Sequence, residues 1–168
     1  MIFMSILWPS ILILSVFQQH GSVSNFPTGT FTEKEAKKIE KESDDLDSRI
    51  DVYRNASIRM QKELKETVSK DGFQNVPGRI QLWTSLVTES LKDIESNTDP
   101  KKKKSKALIK YEIHVRQTIN DLRELQIRAP YEQQQIFDSC VERANDGRGK
   151  MVDILFQPEK VLEEEVER

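Results

Sequence analysis

The densest group of side chains that could bind an anion is the lysine run Lys101, Lys102, Lys103, Lys104 and Lys106. Such a run can attract a polyanion or an anionic lipid surface, or act as a nuclear signal. The interpretation we favour is simpler. Asp99 would cap a helix, Pro100 would occupy its first position, and the lysines would form its solvated first turn. No interleaved aromatic residues or recognition fold accompany the run, so it predicts no specific nucleic-acid partner.

Histidine and cysteine supply few reactive groups. His114 is the only histidine after residue 24, whereas a metal site needs several converging ligands. We therefore predict no metal, and we expect His114 to contact a carboxylate at the flank of a helix. Cys140 is the single cysteine and falls on an apolar stripe, which indicates a buried, inert thiol. A reactive thiol and an intermolecular disulfide are the alternatives.

Other motif matches are weak. The stretch "NDGRGK" resembles a phosphate-binding loop but has no strand before it, and the carboxylates form no catalytic frame. Asn55-Ala56-Ser57 matches a glycosylation sequon inside a predicted helix, which favours a fortuitous match. The sequence therefore predicts a protein without catalytic residues or a cofactor.

The first 24 residues differ from the rest of the chain because they contain no Lys, Arg, Asp or Glu. An apolar run over 2–17 is followed by polar and small residues, which is typical of a signal peptide with a mature start near Asn25. An uncleaved N-terminal membrane anchor is the alternative. The pattern predicts an extracytoplasmic protein, either periplasmic or secreted.

The remaining residues show helical periodicity. The chain has 168 residues, 32% of them charged, and a net charge of −2, with six glycines and six prolines. We predict a short flexible lead over 25–31, a helical domain over 32–156 and an acidic, frayed tail over 157–168. Thr32 and Glu35 form a capping box at the start of the first helix, which either continues to about residue 68 or breaks near Ser43.

Three further helices are predicted from turn signals and apolar spacing. They cover about 79–96, 100–128 and 131–156, with breaks at Asp71-Gly72, Pro77-Gly78 and Ala129-Pro130. Apolar residues recur at gaps of three and four, which is typical of coiled-coil-like heptad packing. The fold class is therefore all-α, an antiparallel helical bundle of about four helices, and a homodimer that buries an extended arm is an alternative. The predicted core consists of Leu46, Ile50, Tyr53, Met60, Leu64, Trp83, Val87, Leu91, Leu108, Tyr111, Val115, Leu122, Leu125, Phe137, Cys140 and Met151.

Three stretches carry a family resemblance: "KKIEKESDDLDSRIDVYRNASIRM", "DPKKKKSKALIKYEIHVRQTINDLREL" and "MVDILF". Together they resemble an uncharacterised family of exported all-helical proteins of acidobacterial type. The resemblance covers about residues 33–156, most of the predicted mature chain, and it implies a bacterial exported protein without an established activity. It supplies no catalytic or binding residues.

The sequence favours a non-enzymatic helical bundle that acts through protein–protein or surface contacts with an unknown partner. One alternative is an envelope-stress chaperone or sensor that binds unfolded chains or ligands between its helices. A second alternative is binding of a polyanion or an anionic membrane surface through Lys101–Lys106. An exposed apolar groove would favour the chaperone, whereas a buried apolar stripe would favour the scaffold.

Overall fold

A computed structural model describes residues 23–70, 72–99 and 105–156 of the chain. Over these residues the chain is helical and contains no strand. The five α-helices are α1 (Glu33–Lys41), α2 (Leu46–Ser69), α3 (Val76–Asn97), α4 (Lys106–Arg128) and α5 (Tyr131–Phe156). Short 3₁₀ turns at Val23–Asn25 and Phe73–Asn75 precede α1 and α3. The predicted all-α class is confirmed. Residues 1–22, Lys101–Lys104 and the predicted tail 157–168 lie outside the described residues.

Side-chain caps start three of the helices. The predicted capping box of α1 is present, since Glu35 N donates to Thr32 Oγ1 at 3.3 Å and Thr32 N donates to Glu35 Oε2 at 2.7 Å. These bonds satisfy backbone N–H groups that the first helical turn leaves without partners. The chain then breaks before α2, so the two-helix alternative is the one that forms. The cap of α2 is Asp45 rather than Ser43, because the Ser48 N–H donates to Asp45 Oδ1 at 3.2 Å.

Two predicted boundaries are wrong. The helix α4 begins at Lys106, and its cap is Ser105, whose hydroxyl accepts the Leu108 N–H at 3.0 Å. Asp99 is therefore not the cap of this helix, and Pro100 lies outside the described residues. Pro77-Gly78 was expected to be a turn but lies in the first turn of α3, where a proline needs no hydrogen bond for its nitrogen.

Helices that follow one another along the chain run in opposite directions. Contacts join the start of α2 to the end of α3 and the first half of α4 to the second half of α5. The pairs that show this are Arg49–Asp93 and Arg79–Glu63 between α2 and α3, and Arg148–Glu112 and Gln126–Asp138 between α4 and α5. The short connections between these helices allow this antiparallel arrangement.

The order of helices around the core differs from a simple up-and-down bundle. The neighbours are α2 with α3, α3 with α5, α5 with α4, and α4 with α2, while α1 packs on α2. The pairs that show α2 and α4 to be parallel are Asp47–Ser105, Ser57–His114 and Lys65–Asp121. The helices α3 and α4, although consecutive, are therefore not among the main neighbouring pairs, and the predicted antiparallel arrangement applies only to consecutive helices.

The predicted core lies inside this arrangement. Each residue of that set is buried except Leu46, which is half-buried at the first turn of α2 and packs against the core. Leu46 differs because the first turn of α2 lies at the end of the bundle. The buried face of α3 is broad, since Leu86 and Ile94 are fully buried as well as Trp83 and Val87. A helix buried over so wide a face must contact several neighbours.

The predicted flexible lead is instead packed on the bundle. The rings of Phe26 and Phe31 lie 5.6 and 6.1 Å from the ring of Tyr53. The Thr30 hydroxyl donates to the Pro27 carbonyl at 2.7 Å, and Thr30 is 1% exposed. Two aromatic side chains near Asn25 make this segment part of the folded domain, because their burial removes a large apolar area from water.

Candidate functional site

The predicted lysine patch is represented in the described residues by Lys106 alone. It is the exposed first residue of α4, and Lys101–Lys104 precede the cap of that helix in sequence. The Ser105 hydroxyl donates to Asp47 Oδ1 at 2.6 Å, which fixes the start of α4 beside the start of α2. Lys106, the described member of the lysine run, therefore lies at the end of the bundle where α2 and α4 both begin.

A serine and a histidine meet inside the bundle, which the sequence did not predict. His114 Nε2 lies 2.9 Å from Ser57 Oγ, between the parallel helices α2 and α4. The Trp83 indole N–H donates to the same Ser57 oxygen at 2.8 Å. Because the indole can only donate, the Ser57 oxygen accepts from Trp83, and the tautomer of His114 sets which partner donates in the bond between Ser57 Oγ and Nε2. The expected contact of His114 with a carboxylate is wrong.

This serine–histidine pair is closed to substrates in the described conformation. Ser57 is fully buried, and its hydroxyl is occupied by Trp83 and His114. Burial lowers the pKa of His114, and this effect outweighs the opposing effect of hydrogen bonding to the Ser57 backbone. A buried neutral imidazole that bonds a buried hydroxyl satisfies polar groups which would otherwise weaken the core. We therefore assign Ser57, Trp83 and His114 a structural role between α2, α3 and α4.

A second polar cluster joins the end of α3 to the junction between α1 and α2. Arg49 Nε and Nη2 donate to the two Asp93 oxygens at 3.0 and 3.2 Å. The Tyr53 hydroxyl also donates to Asp93, at 2.8 Å, and the Arg49 guanidinium donates to the Ser43 carbonyl. Burial raises the pKa of Tyr53, and the neighbouring Asp93 carboxylate adds to this rise. Each charged group here has an internal partner, which leaves none of them for a ligand.

The remaining sequence candidates lie in the interior. Cys140 is buried, with Arg143 Nη2 at 3.8 Å from its sulfur. Trp83 and Tyr53 are core aromatics, as expected. Within the described ranges, no group of three or more His, Cys, Asp or Glu side chains could hold a metal ion. Among the described helices, none has the length and apolar character to cross a membrane.

The outer surface of α2 and α4 carries exposed isoleucines. Ile58 of α2 and Ile109 and Ile113 of α4 are 43%, 39% and 37% exposed. The two isoleucines of α4 are one helical turn apart and stand off the buried stripe to which Leu108 and Tyr111 belong. Large apolar side chains that cluster on a surface, rimmed by polar groups, mark contact sites more often than isolated ones.

Helix geometry places Ile58 and Ile113 on the same side of the bundle. Ser57 and His114 face each other across the groove between two parallel helices. The residue after Ser57 and the residue before His114 are each rotated by about 100°, and in parallel helices these rotations point to the same side. Both isoleucines are exposed, so that side is the solvent side.

Cations surround these isoleucines. Lys106, Lys110 and Arg116 are exposed on α4, and none of the three forms an ion pair with another described residue. Glu112 lies one helical turn before Arg116, but its Oε1 accepts from Arg148 of α5 at 2.6 Å. We name this surface the basic isoleucine face and define it as Ile58, Lys106, Ile109, Lys110, Ile113 and Arg116.

The sequence contains a signal for part of this face. Ile109 and Ile113 fall outside the three-four spacing of the α4 core, so the spacing places two large apolar side chains on the solvent side of one helix. The contribution of Ile58 could not be predicted, because only the tertiary structure places α2 parallel to α4 at this level.

Comparisons with known proteins give no assignment. No family model matches the chain, and no curated protein or solved structure is significantly similar to it. The resemblance to an exported acidobacterial family therefore stays a prediction.

Proposed function

We propose that this protein is a non-enzymatic binding protein that acts through surface contact and recognises an acidic partner with its basic isoleucine face. The observation that carries the proposal is the combination of three exposed isoleucines with three cations that have no described ion-pair partner on the same outer surface. Apolar contact area supplies affinity, while complementary charge supplies orientation and association rate.

Two features support an acidic partner over a neutral one. The exposed residues of α4 between Lys106 and Arg123 include four cations and no carboxylate, because Glu112 and Asp121 are drawn into contacts with Arg148 and Lys65. The four lysines Lys101–Lys104 precede this helix in sequence and add to the positive charge. A surface with one sign of charge attracts ligands of the opposite sign over about 10 Å at ordinary salt concentration.

The proposal includes an extracytoplasmic location, which rests on the apolar run and the small residues over 1–24. It also includes heptad-like packing of the long helices, supported by burial of the three-four stripes. The chaperone alternative needs an apolar groove that is open to solvent. The stripes are instead buried, which favours the scaffold over client binding between helices.

Anionic vesicles and heparin provide the test, with the protein purified as its expressing cell processes it. The unchanged protein should bind vesicles containing phosphatidylglycerol more tightly than neutral vesicles, and binding should weaken as salt rises. The triple variant Lys106→Gln, Lys110→Gln, Arg116→Gln should lose affinity for vesicles by roughly tenfold or more, since each basic residue near an anionic surface contributes about 1 kcal/mol.

A matched control removes the same charge from another surface. Lys34, Lys38 and Lys41 are exposed on α1, so Lys34→Gln, Lys38→Gln, Lys41→Gln should leave affinity much closer to that of the unchanged protein. Every variant has the same N-terminal segment, so a difference between them reports the face alone. Equal losses in the two triple variants, or no binding to either probe, would contradict the proposal.

A further inference from the structure

The segment that follows α5 is the strongest candidate for a ligand of the basic isoleucine face. Residues 157–168, "QPEKVLEEEVER", contain five glutamates against one lysine and one arginine. Leu162 and Val166 are four residues apart, the same spacing as Ile109 and Ile113. The composition of this segment, acidic with apolar residues, is therefore complementary to the face in both charge and hydrophobicity.

The fold brings the beginning of this segment to the correct end of the bundle. Arg148 of α5 pairs with Glu112 of α4 at 2.6 Å, and the two helices are antiparallel. Eight residues further along α5, the helix ends at Phe156, about 12 Å beyond that pair. Toward the start of α4, Ser105 lies seven residues before Glu112, about 10 Å along the axis, so Phe156 ends close to the level of Ser105. Phe156 is 69% exposed, so the chain leaves α5 at the surface.

The segment is long enough to reach the face. Six extended residues span about 20 Å, which carries the chain from Phe156 to Leu162. The path from Phe156 to Ile109 has two parts. One is about 6 Å along the axis of α4, from the level of Ser105 to Ile109, and the other is roughly the width of one helix, around α4 to its outer side. Leu162 can therefore reach Ile109, and Glu163, Glu164 and Glu165 then come within range of Lys110 and Arg116.

We infer that residues 157–168 dock on the basic isoleucine face of the same molecule and compete there with an external acidic partner. The inference rests on the proposed function for its consequence, because the segment would mask the surface that the partner needs. A tethered ligand has an effective concentration in the millimolar range for a short linker, so even a weak intramolecular contact is populated. An external partner binds only by displacing the segment, which raises its apparent dissociation constant.

Zero-length carbodiimide cross-linking of the whole protein tests the contact, since it joins a carboxylate to an amine only when the two touch. Dilute protein, mixed in equal parts unlabelled and ¹⁵N-labelled, separates intramolecular from intermolecular products by mass spectrometry. The expected result is intramolecular cross-links from Glu163, Glu164 or Glu165 to Lys106 or Lys110. Cross-links confined to other lysines, intermolecular products alone, or none would overturn the inference.

The consequence for binding is measured with the same anionic vesicles. The variant Glu163→Gln, Glu164→Gln, Glu165→Gln should bind several-fold more tightly than the unchanged protein. The matched variant Glu40→Gln, Glu132→Gln, Glu142→Gln removes equal charge from exposed positions elsewhere. If the two variants gain affinity equally, the segment does not mask the face, and the inference fails.

The two experiments also separate this inference from the proposed function. Vesicle binding that depends on the face, without the expected cross-links, leaves the proposed function intact and removes the inference. The expected cross-links without vesicle or heparin binding support docking of the segment and contradict the proposed acidic partner.

Discussion

Removal of the Asp93 carboxylate should be the most damaging single change in the polar interior. The side chains of Arg49 and Asp93 are 2% and 6% exposed, and they form a two-point charged contact that joins α2 to α3. In Asp93→Ala the guanidinium stays buried without its counter-charge, and the Tyr53 hydroxyl loses its acceptor. Breaking one partner of a buried ion pair typically costs about 3–5 kcal/mol.

That cost is a large part of the stability of an average domain, which is roughly 5–15 kcal/mol. Urea unfolding, followed by circular dichroism at 222 nm, measures this loss of stability. The urea concentration at half-unfolding should fall, while the slope of unfolding free energy against urea concentration should stay unchanged. The exposed Asp153 provides the control, and Asp153→Ala should change stability by less than about 0.5 kcal/mol.

A second variant tests the reason for the loss. In Arg49→Met with Asp93→Leu both charges are replaced by apolar groups, so no uncompensated charge stays in the core. This double variant should be more stable than Asp93→Ala alone, because much of the cost in the single variant comes from the stranded guanidinium. A loss below about 1 kcal/mol in Asp93→Ala, or a double variant less stable than the single one, would refute the reasoning.

Two further predictions concern the core. Leu122→Ala should cost about 2–5 kcal/mol, because Leu122 is 1% exposed and a cavity would remain, whereas Ile127→Ala at an 82% exposed position should cost little in the same urea experiment. His114 has a lowered pKa through burial, so the unfolded chain binds a proton more readily than the folded protein. Its contribution to stability is complete above about pH 6.5 and is lost as the pH falls below that value, by at most about 1.4 kcal/mol per pH unit. In His114→Gln the free energy of unfolding, measured with urea between about pH 6.5 and 5, should depend less steeply on pH than in the unchanged protein. An unchanged dependence would contradict the lowered pKa of His114.

The helices themselves follow from local chemistry. The capping box of Thr32 and Glu35 and the helix over 131–156 were readable from the sequence because caps, prolines and apolar spacing act within a few residues. The burial of residues such as Leu122 and Phe137 was also predictable from the sequence, because three-four spacing places the apolar residues of each helix on one face. The errors fell where several local caps compete, as at Ser43 against Asp45 and at Asp99 against Ser105.

The candidate site could be predicted only in part from the sequence. The sequence favoured a solvated helix start for the lysine run and kept polyanion binding through Lys101–Lys106 as an alternative, whereas the exposed isoleucines Ile109 and Ile113 of α4 were not singled out. It predicted that His114 contacts a carboxylate at the flank of a helix, whereas the parallel approach of α2 and α4 buries this side chain against Ser57. No pattern within either helix states that these two residues meet, because they are 57 positions apart.

The sequence by itself determined that this protein is helical, where most of its helices begin and end, and which side of each helix is buried. Those properties depend on interactions within a turn or two of helix. Only the tertiary structure decided that α4 lies beside α2 and runs parallel to it, since an apolar stripe specifies that a face is buried but not which helix covers it. That choice of neighbour places Ser57 against His114 on the inside, and it sets Ile58 beside Ile113 on the outside.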